Sequence, residues 1–181
     1  LPESDMTVAA YQSSAATFNP GHWDPAALAR TAKALGMQYA VFTTKHHDGY
    51  AMFHTKTSDF GVEHSPFGRD IVREFVDAFR AEGLRIGLYF SLIDWRHADY
   101  PAFIDEDKPY RFGRSRPPTP EQWERFLADM FEQVRELLTN YGKIDVIWFD
   151  GGWERAPEQW KAAELEALIR ELQPEILIND R

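Results

Sequence analysis

The amino-acid sequence predicts an α/β fold: part of a (β/α)8 TIM-type barrel, made of about four α-β units with parallel strands. Three observations predict it. Short apolar, β-branched runs recur near residues 39, 85, 144 and 175, and each follows a stretch with helical periodicity. Strands this apolar are buried on both faces, which requires a parallel sheet covered by helices. Each run also stops on polar groups, at Lys45-His46-His47-Asp48-Gly49, at Ser91, at Asp150-Gly151 and at Asn179-Asp180-Arg181. An open doubly wound sheet fits the alternation as well, but it binds mainly at one switch point, whereas a barrel rim collects residues from every strand end. No glycine-rich phosphate loop follows any of these runs.

Asp24 to Leu35 reads as the first helix, with Asp24 as N-cap, Pro25 at the first helical position and Gly36 as the stop. The strand at Tyr39 follows at once. From Asp70 to Ala81, Ile71, Val72, Phe75, Val76 and Phe79 form an apolar stripe at helical spacing, and Gly83 ends the helix before the Arg85 strand. Asp94 to Pro118 is too polar and proline-rich to be core; loops this long are usually functional or disordered, and this one is expected to border the site. Pro120 to Asn140 carries Phe126, Met130, Val134, Leu137 and Leu138 on one face and leads through Gly142 to the Ile144 strand. Glu158 to Leu172 reads as the last helix, ending before Pro174 and the Glu175 strand.

A complete barrel takes about 250 residues, so residues 1–181 are expected to be a single catalytic-barrel segment. A partial barrel exposes two edge strands. A piece of a larger enzyme is the most economical account; a homo-oligomer whose copies complete one another and a naturally short relative are the others.

With 44% hydrophobic residues the chain can bury one substantial core. Its net charge of -9 opposes a phosphate backbone or an anionic lipid surface, so neither nucleic acid nor membrane is an expected partner. Cysteine is absent, which removes disulfides and thiolate chemistry while fitting reducing and oxidising compartments alike. No apolar run approaches the ~18 residues of a membrane span, and a soluble chain is expected, with its compartment open.

Among residues able to do chemistry, Asp150 lies at the mouth of the run Val146-Ile147-Trp148-Phe149 and precedes two glycines, a placement suited to a nucleophile or an electrostatic stabiliser as well as to a loop cap. Trp148 beside it offers a face for a sugar ring. His46 and His47 are adjacent, and adjacent strand residues point to opposite sides. Both reach one ligand only if the strand ends or bulges there, which Asp48-Gly49 permits. Imidazoles suit a polyhydroxylated substrate or a metal ion. Tyr89 faces either the barrel mouth or the core, Asp94-Trp95 forms a rim wall or steadies the loop, and Arg181 projects a cation into the site or lies on the surface. Glu154 and Glu158 read as structural, at the start of a helix where acidic residues are favoured. A metal-dependent hydrolase using His46, His47, Asp150 and Asp180 is the rival reading, although neither His-x-His nor His-Glu-x-x-His occurs.

Taken together, Thr43-Thr44-Lys45-His46-His47-Asp48-Gly49, Phe67-Gly68-Arg69-Asp70, Gly87-Leu88-Tyr89-Phe90-Ser91, Trp148-Phe149-Asp150-Gly151 and Ile178-Asn179-Asp180-Arg181 resemble the α-L-fucosidases of glycoside hydrolase family 29. Phe18-Asn19-Pro20 and Trp23-Asp24-Pro25 add to the likeness. The resemblance implies retaining release of L-fucose from fucosylated glycans or glycosides, with no cofactor and no metal. It puts the catalytic nucleophile on Asp150, the fucose-hydroxyl contacts on His46, His47, Tyr89 and Arg181, and the pocket wall on Trp148. The family's opening strand, with its substrate-binding histidine, has no counterpart before Phe18, and its acid/base glutamate is expected beyond Arg181. Asp94, Asp180 and Glu154 are the nearby carboxyls that remain. The alternative is a fucose- or glycan-binding fragment without turnover.

Overall fold

The computed structural model describes residues 5–101, 104, 106 and 117–180. Among them, β1 (Tyr39–Lys45), β2 (Arg85–Ser91), β3 (Val146–Asp150) and β4 (Leu177–Asp180) form one sheet in the order β1-β2-β3-β4. All neighbouring pairs are parallel. Helices α2 (Pro25–Ala34), α3 (Ile71–Ala81), α4 (Pro120–Asn140) and α5 (Ala162–Leu172) each precede one strand. Strand order that follows chain order without reversal is an arc of a barrel, since a doubly wound sheet reverses at its switch point.

The helix starts follow local chemistry. The Asp24 carboxylate accepts from the Ala27 N–H at 2.9 Å, and Asp70 accepts from Arg73 N–H at 2.8 Å. Thr119 and Gln122 form a reciprocal capping box in front of Pro120. Helix α5 starts at Ala162, not at Glu158, because residues 157–161 turn and Lys161 takes a left-handed φ of 51°. The Trp160 indole, donating to Gly152 O at 2.9 Å, anchors that turn. Strands β3 and β4 begin two residues later than the apolar runs suggest. Asp145 is occupied in joining neighbouring strands: its carboxylate accepts from Ile86 N–H and its carbonyl from Leu177 N–H, both at 2.9 Å. Helix α1 (Val8–Ser13) was not anticipated and buries none of its residues.

The core lies on the helix-covered face, where Leu88, Phe90, Ile147 and Phe149 meet Phe75, Phe79, Phe126, Leu137 and Ile169. Alternation places Val41, Gly87, Tyr89, Trp148 and Asp150 on the other face. Gly87 is needed there because a Cβ would stand 2.7 Å from Val41 Cγ2. The pairing slips between Thr43 and Lys45, so Lys45 aligns with Phe90 and enters the buried face. That bulge reverses the alternation and returns His46 to the same side as Tyr89. No helix among the described residues is long and apolar enough to cross a membrane.

Candidate active site

Asp150 is 2% exposed at the end of β3. One carboxylate oxygen accepts the Tyr89 hydroxyl in a short hydrogen bond and the other accepts the Gly151 N–H at 2.9 Å. Gly151 permits this with a φ of 89°. A carboxylate held from two sides by donors is fixed in orientation at the strand mouth.

The bulge and the Asp48-Gly49 turn bring both histidines to that carboxylate. His46, His47 and Asp150 each offer a ligand atom, all within 4.8 Å of one another. The imidazole centroids lie 4.2 Å apart, and His46 stacks at 9° on Tyr89, 5.7 Å away. His47 Nδ1 is 2.6 Å from Ser91 Oγ. Burial, followed by the neighbouring His46, pushes the His47 pKa down to about 4, so this ring is neutral at neutral pH. Trp95 and Trp153 flank it at 5.3 and 5.8 Å. Trp148, half-buried, aligns with Tyr89 across the sheet, and its indole nitrogen is buried without a hydrogen-bond partner among the described residues. Arg181 lies outside the described residues, as does the Asp180 side chain.

Asp94 is not at the carboxylate cluster. It pairs with Lys45 at 3.3 Å inside the protein and accepts the Arg96 and His97 N–H groups at 3.0 Å each. Asp94 is thus engaged with Lys45 and the following turn rather than facing Asp150. Glu154 sits in a short 3-10 turn, Gly152–Glu154, rather than at the start of α5, and accepts the Tyr100 hydroxyl. Trp95 borders the site, as expected for the start of the long loop; positions 102, 103, 105 and 107–116 of that loop lie outside the described residues. Trp153 was not anticipated beside His47, and neither the Ser91–His47 contact nor the Lys45–Asp94 ion pair was foreseen, although Ser91, Lys45 and Asp94 each read as strand-end or rim residues in the sequence. These pairings are legible only with the register known.

Two imidazoles and a carboxylate within reach of one another could hold a divalent ion, with water completing a four-coordinate shell. A cavity of about 570 Å³ adjoins the cluster along the open edge of β1, between Phe18, Val41, His46 and Asp48, and does not reach Asp150.

A buried carboxylate at one strand mouth, aromatic rings beside it and parallel strands in barrel order form the arrangement of the barrel glycoside hydrolases. Within that class, the chain belongs to the alpha-L-fucosidase family, which it matches over residues 5–181. The tissue alpha-L-fucosidase of Bos taurus is 32% identical over 169 residues, covering 91% of this chain and 32% of the relative. The structure of alpha-L-fucosidase isoenzyme 1 from Paenibacillus thiaminolyticus superposes with a TM-score of 0.84 at 49% identity, over 96% of this chain and 41% of that one. An alpha-L-fucosidase of Bacteroides thetaiotaomicron, captured as a trapped covalent intermediate with 2-fluoro-fucosyl fluoride, superposes with a TM-score of 0.82 at 30% identity, covering 96% of this chain and 38% of that one. The chain spans about a third of the length of the curated relatives it matches.

Proposed function

We propose that this chain carries the nucleophile and the fucose-binding wall of a retaining α-L-fucosidase. The observation that carries the reading is the Asp150 carboxylate, buried, doubly hydrogen-bonded and surrounded by His46, His47 and Tyr89. In the first step an Asp150 oxygen attacks the anomeric carbon of fucose. The bond to the aglycone oxygen breaks, and that oxygen takes a proton from a second carboxyl. In the second step water attacks the fucosyl ester, gives its proton to the same carboxyl and releases L-fucose with Asp150 restored. His46, His47, Tyr89 and Arg181 hold the sugar hydroxyls, and Trp148 packs against the ring. The trapped covalent intermediate of the Bacteroides thetaiotaomicron relative supports a two-step course.

A retaining pair stands about 5 to 5.5 Å apart. Asp94 is paired with Lys45 and Glu154 accepts from Tyr100; following the family resemblance, the acid/base role is given to a carboxyl outside the described residues.

The test is turnover of 4-nitrophenyl α-L-fucoside, whose leaving group needs little acid assistance, together with mass spectrometry after exposure to 2-fluoro-fucosyl fluoride. Hydrolysis lost in Asp150→Ala, and a fucosyl adduct on the Asp150 peptide, are expected. A folded chain that binds L-fucose with neither turnover nor adduct would overturn the catalytic reading in favour of a glycan-binding fragment. The His46, His47 and Asp150 cluster also favours a second reading, a metal-dependent hydrolase, separated from the first by chelation.

A further inference from the structure

We propose that Ser91 is a positioning residue that fixes His47 as the Nδ1–H tautomer, so that Nε2 meets the sugar as a hydrogen-bond acceptor. A serine hydroxyl owns one proton. Ser91 Oγ lies 2.8 Å from the Ile93 carbonyl oxygen, which can only accept, so the proton is spent there. Toward His47 Nδ1, 2.6 Å away, Ser91 has only lone pairs left, and the ring nitrogen must donate. In the neutral imidazole the other nitrogen is then bare.

The surroundings hold this arrangement in place. Ser91 is fully buried and aligns with Asp150 across the sheet, which puts the imidazole and the carboxylate in one row. Ile93 is also fully buried, with its side chain packed onto Gly151 so closely that a Cβ there would stand 2.6 Å from Ile93 Cγ1. The carbonyl that takes the Ser91 proton is therefore not free to turn. On the histidine side, the His47 carbonyl accepts the Trp95 N–H at 2.8 Å, which fixes the backbone from which the ring hangs.

The consequence for specificity rests on the fucosidase reading. A fucose hydroxyl that reaches His47 must donate, and the neighbouring Asp150 carboxylate is likewise an acceptor. An analogue whose oxygen at that position is methylated, or replaced by fluorine, can only accept and leaves Nε2 buried without a partner.

The deciding measurement is ¹⁵N NMR of the histidine-labelled chain at neutral pH, with the His47 signals identified by their loss in His47→Gln. A protonated Nδ1 and an unprotonated Nε2 are expected, retained in Ser91→Thr and mixed or reversed in Ser91→Ala. The opposite tautomer in the unaltered chain would overturn the proposal, and this readout does not depend on turnover. In kinetics with 4-nitrophenyl α-L-fucoside, Ser91→Ala is expected to raise KM about 2- to 10-fold, as losing one ordinary hydrogen bond would, with Ser91→Thr recovering most of it. The expected tautomer in a chain without turnover would sink the fucosidase reading while sparing the positioning role.

Discussion

The Lys45 ammonium stands 3.3 Å from the Asp94 carboxylate, with side-chain exposures of 1% and 7%. Both belong to the segments that carry the site: Lys45 precedes the two histidines, and Asp94 packs on Gly49 just after them. Phe90 lies 4.6 Å beneath the ammonium. Burial pushes the Lys45 pKa down, and Asp94 opposes that shift. Removing one member of such a pair strands the other charge, at a cost of about 3 to 5 kcal/mol. Lys45→Met is therefore expected to lower the urea midpoint sharply. Lys45→Met combined with Asp94→Asn is expected to lose less than the sum of the single changes; additive losses would mean the two do not act as a pair.

How much of this was legible in the sequence differs by element. The strand and helix order was, because periodicity and caps are local: Asp24, Asp70 and Thr119 announce their helices within a few residues. The Lys45 bulge was not, because lysine at a strand end gives no sign of turning inward; only its partner 49 positions later explains it. Helix α1 escaped for a similar reason, since Tyr11 is held by a 2.7 Å bond to Asp48, far along the chain. At the site, Asp150, His46, His47 and Ser91 stood out as polar groups ending apolar runs, and Tyr89 as a residue facing either the mouth or the core. That Ser91 meets His47 was not legible, because the contact depends on where a neighbouring strand places a ring.

Gly151 is expected to resist substitution for two separate reasons. Its φ of 89° disfavours a side chain, and a Cβ would meet Ile93 carbons at 2.6 and 2.8 Å. Gly151→Ala is expected to cost about 1 to 3 kcal/mol through strain and to lower kcat, because the Gly151 N–H holds the Asp150 carboxylate. Unfolding curves and 4-nitrophenyl α-L-fucoside kinetics on the same preparation check both; unchanged kcat would separate Gly151 from the nucleophile.

Tyr89→Phe removes the hydroxyl that donates to Asp150 while keeping the ring that stacks on His46. Losing a hydrogen bond to a charged group costs about 1.5 to 3 kcal/mol, which corresponds to a fall in kcat/KM of about 10- to 100-fold. Thermal stability is expected to change far less than in Lys45→Met. A variant with normal kinetics would assign Tyr89 a packing role only.

Acid should weaken the fold through His47. An unfolded histidine takes a proton as pH falls through 6.5, whereas folded His47 does so only near 4, because burial and His46 disfavour the charged ring. The unfolded chain therefore binds more protons between those values, and stability falls with acidification across that window while staying unaffected above it. Urea unfolding at pH 7, 5.5 and 4, compared with His47→Gln, checks this. The unaltered chain is expected to lose its advantage over the variant as pH drops; a constant difference would place the His47 pKa near its ordinary value.

Chelation discriminates between the two chemistries that the same residues support. For the cluster to bind a metal ion, Asp150 must offer an oxygen that already accepts from Tyr89 or Gly151, while His47 can offer only Nε2, since Nδ1 is turned to Ser91. A metal hydrolase would use the ion to activate water. The fucosidase reading has Asp150 attack the sugar directly. Turnover of 4-nitrophenyl α-L-fucoside is therefore expected to be unchanged by EDTA, and added Zn²⁺ is expected to give no rise in Tm of the kind that binding to the folded state produces. Activity abolished by the chelator and restored by Zn²⁺ would overturn the nucleophilic role of Asp150 and make it a ligand with His46 and His47.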